Sequence, residues 1–569
     1  MSTNISGEKR EALLSKIAEI KTFIERNAED KNASQLLGYL GELSREVNGK
    51  KYGLVFEEHR EKIDELLDEN APVFTEEKKL FVDNGGKLNF LLEGDNLASL
   101  KLLEKTHRGK IDVIYIDPPY NTGNKDFIYD DDFVDSTDQF RHSKWLSFME
   151  KRLEIARNLL SEKGVIFISI DDNEQADLKL LCDEIFGHEK FVAMFPWRKR
   201  TAKSDVPFGI SQDYEWILCY ANIKFLASIE GKERKYFVTD DYPNRPWRFH
   251  DLTTQRTIEE RPNSNYTMVN PKTKEEFPVN PLRCWAVTKD TFQEYYNESK
   301  IIFPGDYDFL KISKPVLRYW KEDDMKKSGE NFGRIAVSTK FPETVGMSQD
   351  GTKEITEILQ EKAFLYPKSL ELIKFLIQLS TFNSPFSTVL DFFAGSGTTG
   401  HAVLKLNAED GGHRKFILCT NNENNICRDI TYQRLKTAIT GKRKDKSKYS
   451  DGLPGSLKYF KTDFIPISEK MYYEYADELL LHVRELVELE NAVNFDKDAS
   501  VAIVLDDDEM EVFIKRIVGS SPTMTVDSPI KTLYLGHDVL LSSKQERILK
   551  AHNISVNVIP DYYYRELAL

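Results

Sequence analysis

Apolar residues recur with two different rhythms along the chain, and the change of rhythm divides it. Leu13, Leu14, Ile17, Ile20, Phe23 and Ile24 share one helical face, and a charged helical pattern continues to about Leu67. From Leu88, short apolar runs alternate with amphipathic stretches: LNFLLEGDN, a Leu-rich helix, IDVIYIDPPY, a helix from Trp145 to Leu160, then GVIFISIDDNE. Strands and helices in this alternation predict a parallel α/β sheet of doubly wound type. The rhythm stops between Phe195 and Asn222, and a stretch rich in Pro, Trp and Arg runs to about Lys340, which reads as an inserted domain. Alternation returns in FLYPKSLELIKFLIQLS, STVLDFFAGSGTTG and RKFILCTNNEN. Beyond Lys461, VAIVLDDDE, KTLYLGHD and SVNVIPDYY, separated by helical stretches, predict a small α/β domain. The expected divisions are an N-terminal helical region (1–80), the first half of the sheet domain (81–220), the insertion (221–340), the second half (341–445) and the C-terminal domain (446–569).

With 40% hydrophobic and 30% charged residues over 569 positions, the composition is that of a folded chain able to bury several cores. The 79 Lys+Arg against 93 Asp+Glu give a formal charge of −14, which taken as a sum discourages nucleic acid. The distribution reverses that picture. Residues 190–340 hold 26 Lys+Arg and 21 Asp+Glu, a net of about +5. A basic run, GKRKDKSK, covers Gly441 to Lys448, whereas the part from Lys461 has 11 Lys+Arg against 20 Asp+Glu. The start, MSTNISGEKREALL, has no apolar core of a signal peptide, and no stretch near 18 apolar residues occurs, so a cytoplasmic protein without a membrane span is expected. Five cysteines without a CxxC pair read as reduced packing thiols. The acid triplets Asp130 to Asp132 and Asp506 to Asp508 read as solvated faces or caps, and no metal is expected in the reaction. No G-K-S or G-K-T tripeptide marks a phosphate-binding motor.

Two motifs carry the chemistry. Gly395-Ser396-Gly397-Thr398-Thr399-Gly400 follows an apolar strand and precedes a helical stretch, the setting of a nucleotide-binding glycine turn. Asp391 at the strand end would oppose a pyrophosphate, but an acid and an aromatic ring suit a cationic cofactor such as S-adenosylmethionine. A turn serving only tight strand-to-helix packing is the plain alternative. Asp117-Pro118-Pro119-Tyr120 follows another strand, where two prolines end the ladder and stiffen the turn. An exocyclic amine on a base is a poor nucleophile because its lone pair is delocalised into the ring. The Asp117 carboxylate and the Pro118 carbonyl can accept its two N–H protons, freeing the lone pair, while Tyr120 offers a face for a base flipped out of the duplex.

With both motifs in hand, the chain resembles the amino-methyltransferases of DNA, and among them the modification subunits of type III restriction-modification systems. DPPY precedes the Phe393-Ala394-Gly395-Ser396-Gly397 loop with a long insertion between, similar to the permuted order of the family's beta group. The resemblance covers roughly Leu88 to Ile439. It implies a circularly permuted, Rossmann-like fold with an inserted target-recognition domain, an S-adenosylmethionine cofactor, and methyl transfer to adenine N6 of double-stranded DNA. It further implies a homodimer and a separate restriction subunit supplying helicase and nuclease functions. By the same resemblance Asp391, Phe393, Ala394, Gly395, Ser396 and Gly397 shape the cofactor pocket, Lys368 and Ser369 lie near its methionine end, and Asp95 lies beside it. A helix N-cap is the rival reading of Asp95. Where relatives hold the ribose with an acid, this strand ends in Thr420, and Glu423 is the candidate. The Trp197-Arg198-Lys199-Arg200 cluster, Lys203 and PNRPWRFHDLTTQR mix Arg with Trp and amides, as DNA contacts require. A non-catalytic docking subunit and an orphan methyltransferase, acting on adenine N6 or cytosine N4, are the competing readings.

Overall fold

A computed structural model of the chain describes every residue except 1–4, 27–32, 49–53, 55, 124–126, 130–131, 202, 204–205, 231–234, 281, 330–331, 382–385, 468–478, 520–529, 561–562 and 564–569. Asp130 and Asp131 of the first acid triplet lie outside the described residues. The chain forms two compact units, Met1–Leu226 with Thr339–Leu569, and Ala227–Ser338.

The larger unit is built on one sheet. Its main strands are β1 (Asn70–Glu76), β2 (Leu88–Glu93), β3 (Ile111–Ile116), β4 (Leu160–Ile170), β5 (Phe191–Arg198), β6 (Tyr214–Ala221), β7 (Thr388–Asp391), β8 (Lys415–Thr420) and β9 (Ser456–Pro466). They lie in the order β1-β9-β2-β8-β7-β3-β4-β6-β5, with the short strand Val82–Asp83 on β9. From β9 to β4 every neighbour is parallel. Strand β6 runs antiparallel to both β4 and β5, and β1 antiparallel to β9. Central strands covered on both faces need apolar side chains in both directions, which is why IDVIYI and VIFISI read as continuous apolar runs.

The helices between strands are α1 (Asn96–His107), α2 (Arg141–Leu159), α3 (Gln175–Phe186), α4 (Ser348–Leu359), α5 (Leu370–Thr381), α6 (Thr398–Asp410) and α7 (Tyr432–Thr440). Strand β3 proceeds through α2 to β4 on one side, and β7 proceeds through α6 to β8 on the other. The chain therefore leaves the adjacent pair β7–β3 in opposite directions, which opens a crevice at their carboxyl ends. Val389 pairs with Val113 and Leu390 with Ile114, so continuing the register brings Phe393 opposite Asp117.

The sheet reaches further than the sequence divisions. Strand β1 comes from the expected helical region and β9 from the expected C-terminal domain; Phe74, Leu457, Tyr459 and Phe460 are buried because they sit inside the main sheet. Beyond β9, Val501–Val504, Thr532–Leu535 and Ser555–Val558 form a three-stranded parallel sheet with helices Asp507–Gly519 and Ser543–Ala551. Tyr534, Ile559 and Tyr563 join the main core, so this part is continuous with it. In the smaller unit, Phe237–Thr239, Tyr242–Asp251, Val316–Trp320 and Ile301–Ile302 make a four-stranded sheet around Trp247 and Trp320. Among the described residues no helix is long and apolar enough to cross a membrane. All five cysteines are free and buried.

Candidate active site

The Asp117–Tyr120 segment leaves β3 at the crevice and is gripped from behind. Trp145 of α2, fully buried, donates its indole N–H to the Pro119 carbonyl at 2.7 Å. Asn121, buried and in the left-handed region with φ of 55°, donates through Nδ2 to the Arg141 carbonyl at 3.1 Å and to Glu174 Oε1 at 2.6 Å. His142 Nδ1 lies 2.7 Å from the same Glu174 oxygen. Burial pushes the Glu174 carboxyl up to about 8, against the pull of the Asn121 hydrogen bond. These contacts fix the proline turn so that its side facing the crevice is rigid. Among the described residues no donor reaches the Pro118 carbonyl.

On the crevice side, Asp117 sits in a cluster of charges. Its Oδ1 accepts from the Tyr120 hydroxyl at 2.8 Å and from Lys368 Nζ at 2.9 Å. Lys368, expected near the methionine end of a cofactor, thus delivers its ammonium to the acid, and also donates to the Tyr120 hydroxyl at 2.7 Å. Glu215 of β6 completes the group at 3.3 Å from Lys368 Nζ, with Lys199 Nζ 3.4 Å from its other oxygen. Burial raises the Asp117 carboxyl, Lys368 opposing it. Glu215 is held below the usual carboxylate range, since Lys368 and Lys199 together outweigh its burial. Lys368 loses solvation by burial but is raised by Asp117 and Glu215. The Tyr120 ring is half-buried with its hydroxyl engaged, and the Lys368 ammonium is 5.1 Å from the ring centroid. Ser369 turns inward, donating to the Val345 carbonyl at 2.6 Å.

The glycine turn lies on the neighbouring strand. Asp391 accepts from the Phe393 N–H at 3.0 Å through one oxygen and from the Thr399 hydroxyl at 2.5 Å through the other, tying the strand end to the first turn of α6. Burial pushes its carboxyl up to about 7. Gly395 and Gly397 take φ of +48° and +76°, and a Cβ would fall 3.3 Å from Phe364 Cζ and 3.1 Å from Thr431 Cγ2 respectively. Ala394 N–H donates to the Cys419 carbonyl at 3.1 Å, so the turn is anchored on β8. The buried Arg434 guanidinium holds Ser396 Oγ at 3.2 Å and Thr398 Oγ1 at 2.7 Å while pairing with Glu354 at 2.7 Å. Asp95 caps α1, accepting from Leu97 N–H at 2.7 Å. Its neighbour Asn96 donates to the Phe392 carbonyl at 2.9 Å, which brings the cap beside the turn. Glu423 is exposed in a single turn, Glu423–Asn425, after β8.

The basic cluster divides. Trp197 is 1% exposed and donates to the Gly346 carbonyl at 3.0 Å, so its indole is packing and has no surface to offer DNA. Lys199 points to Glu215. Arg198 and Lys203 are exposed and Arg200 half-buried, at the carboxyl end of β5 and in the loop after it. In the smaller unit, Arg245 pairs with Glu322, Arg248 with Asp324 at 2.5 Å, and Arg318 is buried among Tyr242, Trp247, Tyr307 and Trp320, so these arginines hold the fold. Sequence reasoning missed Glu215, Glu174, Asn121 and Arg434. Glu215 had a signal, an acid between Tyr214 and the apolar run WILCYA, and Glu174 another, at the end of SIDDNE.

The family model for DNA methylase, covering N6 and N4 methyltransferases, matches residues 111–433, from the first residue of β3 into α7. The chain belongs to this family. Within it, the chain is 34% identical over 382 residues to the StyLTI Mod subunit, a type III restriction-modification enzyme of Salmonella typhimurium, covering 60% of this chain and 54% of that protein. It is 33% identical to the EcoPI Mod subunit of Escherichia phage P1, covering 60% and 58%. The type II methyltransferase M.KpnI of Klebsiella pneumoniae is 33% identical, covering 65% of this chain and 90% of its own length. The chain thus spans little more than half the length of the two Mod subunits it matches.

Proposed function

We propose that this chain is an S-adenosylmethionine-dependent DNA methyltransferase acting on adenine N6, and that it is the modification and recognition subunit of a type III restriction-modification system working in the cytoplasm. The observation that carries the reading is the pairing of β3 with β7, which sets the Asp117 carboxylate and the glycine turn side by side at the switch point of the sheet. The residues fit the cofactor. Gly395 and Gly397 take positive φ in a tight turn where a Cβ would press on Phe364 and Thr431, and Asp391, Phe393 and the start of α6 offer an acid, a ring and backbone N–H groups. When bound, the cofactor supplies an activated methyl group.

The chain's own residues prepare the amine. Asp117 and the Pro118 carbonyl accept the two amine protons, which turns the nitrogen lone pair out of conjugation; the second proline and the Trp145 hydrogen bond hold both acceptors still. The amine loses one proton overall, and the nearby carboxylate is the acceptor in position to take it. Tyr120 provides an aromatic wall for the flipped base. Exposed Arg198 and Lys203 would contact phosphates, and the Ala227–Ser338 unit is the candidate for reading sequence. A homodimer and a separate ATP-driven restriction subunit complete the proposed assembly.

Asp117→Ala tests the reading. Loss of methyl incorporation into DNA by at least about a hundredfold, with cofactor and DNA binding retained, is expected. Transfer at the wild-type rate would refute it, and methylation-sensitive long-read sequencing of the product reports whether adenine or cytosine is modified.

A further inference from the structure

We propose that Lys368 is a positioning residue for the methyl transfer: together with Tyr120 it holds one oxygen of Asp117 and so presents the other to the target amine, with Glu215 anchoring the ammonium. The inference deepens the methyltransferase reading and depends on it for its kinetic consequence.

A carboxylate on a single methylene rotates through a broad, nearly two-fold torsional well, so an unrestrained Asp117 would present either oxygen in many directions. Here both donors converge on Oδ1, the Tyr120 hydroxyl at 2.8 Å and Lys368 Nζ at 2.9 Å, while no donor among the described residues reaches Oδ2. The ammonium has three N–H groups and three partners: Asp117, the Tyr120 hydroxyl at 2.7 Å and Glu215 at 3.3 Å. It is therefore a fixed tripod. The Lys368 side chain is 8% exposed and that of Glu215 11%, so water does not compete for these bonds. Glu215 is itself held on its far side by Lys199. Immobilising the acceptor before the base arrives removes a rotational cost from the reacting geometry.

The cluster has a second consequence. The groups facing Asp117 are Tyr115 and Tyr120 from its own segment, Lys368 from the segment before α5, Glu215 from β6 and Asp391 from β7. Lys368 is the one cation among these described neighbours. It favours the ionised, accepting form of Asp117 against burial and two other acids.

The test is a titration of the Asp117 carboxyl carbon by NMR, in full-length protein carrying labelled aspartate and free of DNA and cofactor, with Asp117→Asn to assign the signal. Lys368→Met, a straight apolar chain of similar length, is expected to raise the Asp117 midpoint by about one to three pH units. Glu215→Gln removes a like charge and is expected to lower it, and it stands in for the first variant should that one fail to fold. Lys368→Arg should stay near wild type. Kinetically, Lys368→Met should lower kcat at least about tenfold with KM for DNA unchanged, and Lys368→Arg should recover much of the loss. An unmoved midpoint in Lys368→Met, shifts of the same sign in both variants, or an unchanged kcat overturns the inference. Absence of methyl transfer by the wild-type chain would instead refute the enzymatic reading and leave the titration interpretable.

Discussion

Replacing Glu174 by Gln is expected to make the stability of the chain less dependent on pH, with the sign of the effect reversing across the neutral range. Glu174 is fully buried, and its carboxyl titrates at about 8 in the folded chain against a usual value of 4.5. A carboxyl raised on folding contributes stability that is fully present below its unfolded value and is lost as pH rises through its folded value. The interval of about 3.5 units, at 1.36 kcal/mol each, puts an upper bound of roughly 5 kcal/mol on that loss. Glutamine keeps the oxygen that accepts from Asn121 and His142, and it stays neutral at every pH. Its amide nitrogen replaces Oε2, which has no hydrogen-bond partner and carries the O–H of the neutral acid, so the amide adds one further unsatisfied N–H costing about 1–3 kcal/mol. The variant should then be slightly less stable than wild type near about pH 5.5 and more stable by roughly 2–4 kcal/mol near about pH 9. Urea unfolding at the two pH values measures this, with midpoints compared between variants because a chain of several folding units is not two-state. Parallel pH dependences in wild type and Glu174→Gln would refute the reasoning and mean that Glu174 is ionised in the folded chain.

Two further perturbations probe the crevice and its rim. Reversing Arg198 and Arg200 together to Glu should weaken DNA binding and reduce its salt slope by up to about two, whereas unchanged affinity and slope remove both from the footprint. Gly397→Ala forces a side chain into the left-handed region beside Thr431 and should cost about 1–2 kcal/mol, with cofactor binding weakened several-fold in equilibrium dialysis; undiminished binding would show that the turn tolerates a Cβ and is not the cradle.

The elements that read correctly from the sequence are those whose signal is local. The continuous apolar runs of β3, β4 and β8 announce strands buried on both faces, and the Gly-rich turn after β7 announces a backbone that needs positive φ. The proposed acceptor-pair role of DPPY rests on the chemistry of the residues themselves. Where strands came from the ends of the chain, as β1 and β9 do, periodicity identified neither their partners nor the sheet they join, since strand pairing is a long-range choice. Trp197 illustrates the same limit within a cluster: Trp beside Arg and Lys looks like a DNA contact, yet alternation along β5 turns the indole inward and leaves Arg198 outside.

Residue types and local spacing determined the class of this protein: a doubly wound sheet, an acid-proline turn and a glycine turn at strand ends, and an insertion with a basic balance. The arrangement of charge around Asp117 was decided by folding, because Lys368 and Glu215 lie 251 and 98 positions from it and meet it only through the strand order of the sheet. A lysine's length fits it for many partners, and sequence alone does not choose among them. The sheet does, by bringing β6 and the segment before α5 to the same carboxyl edge as β3, where burial makes each ion pair a requirement rather than an option.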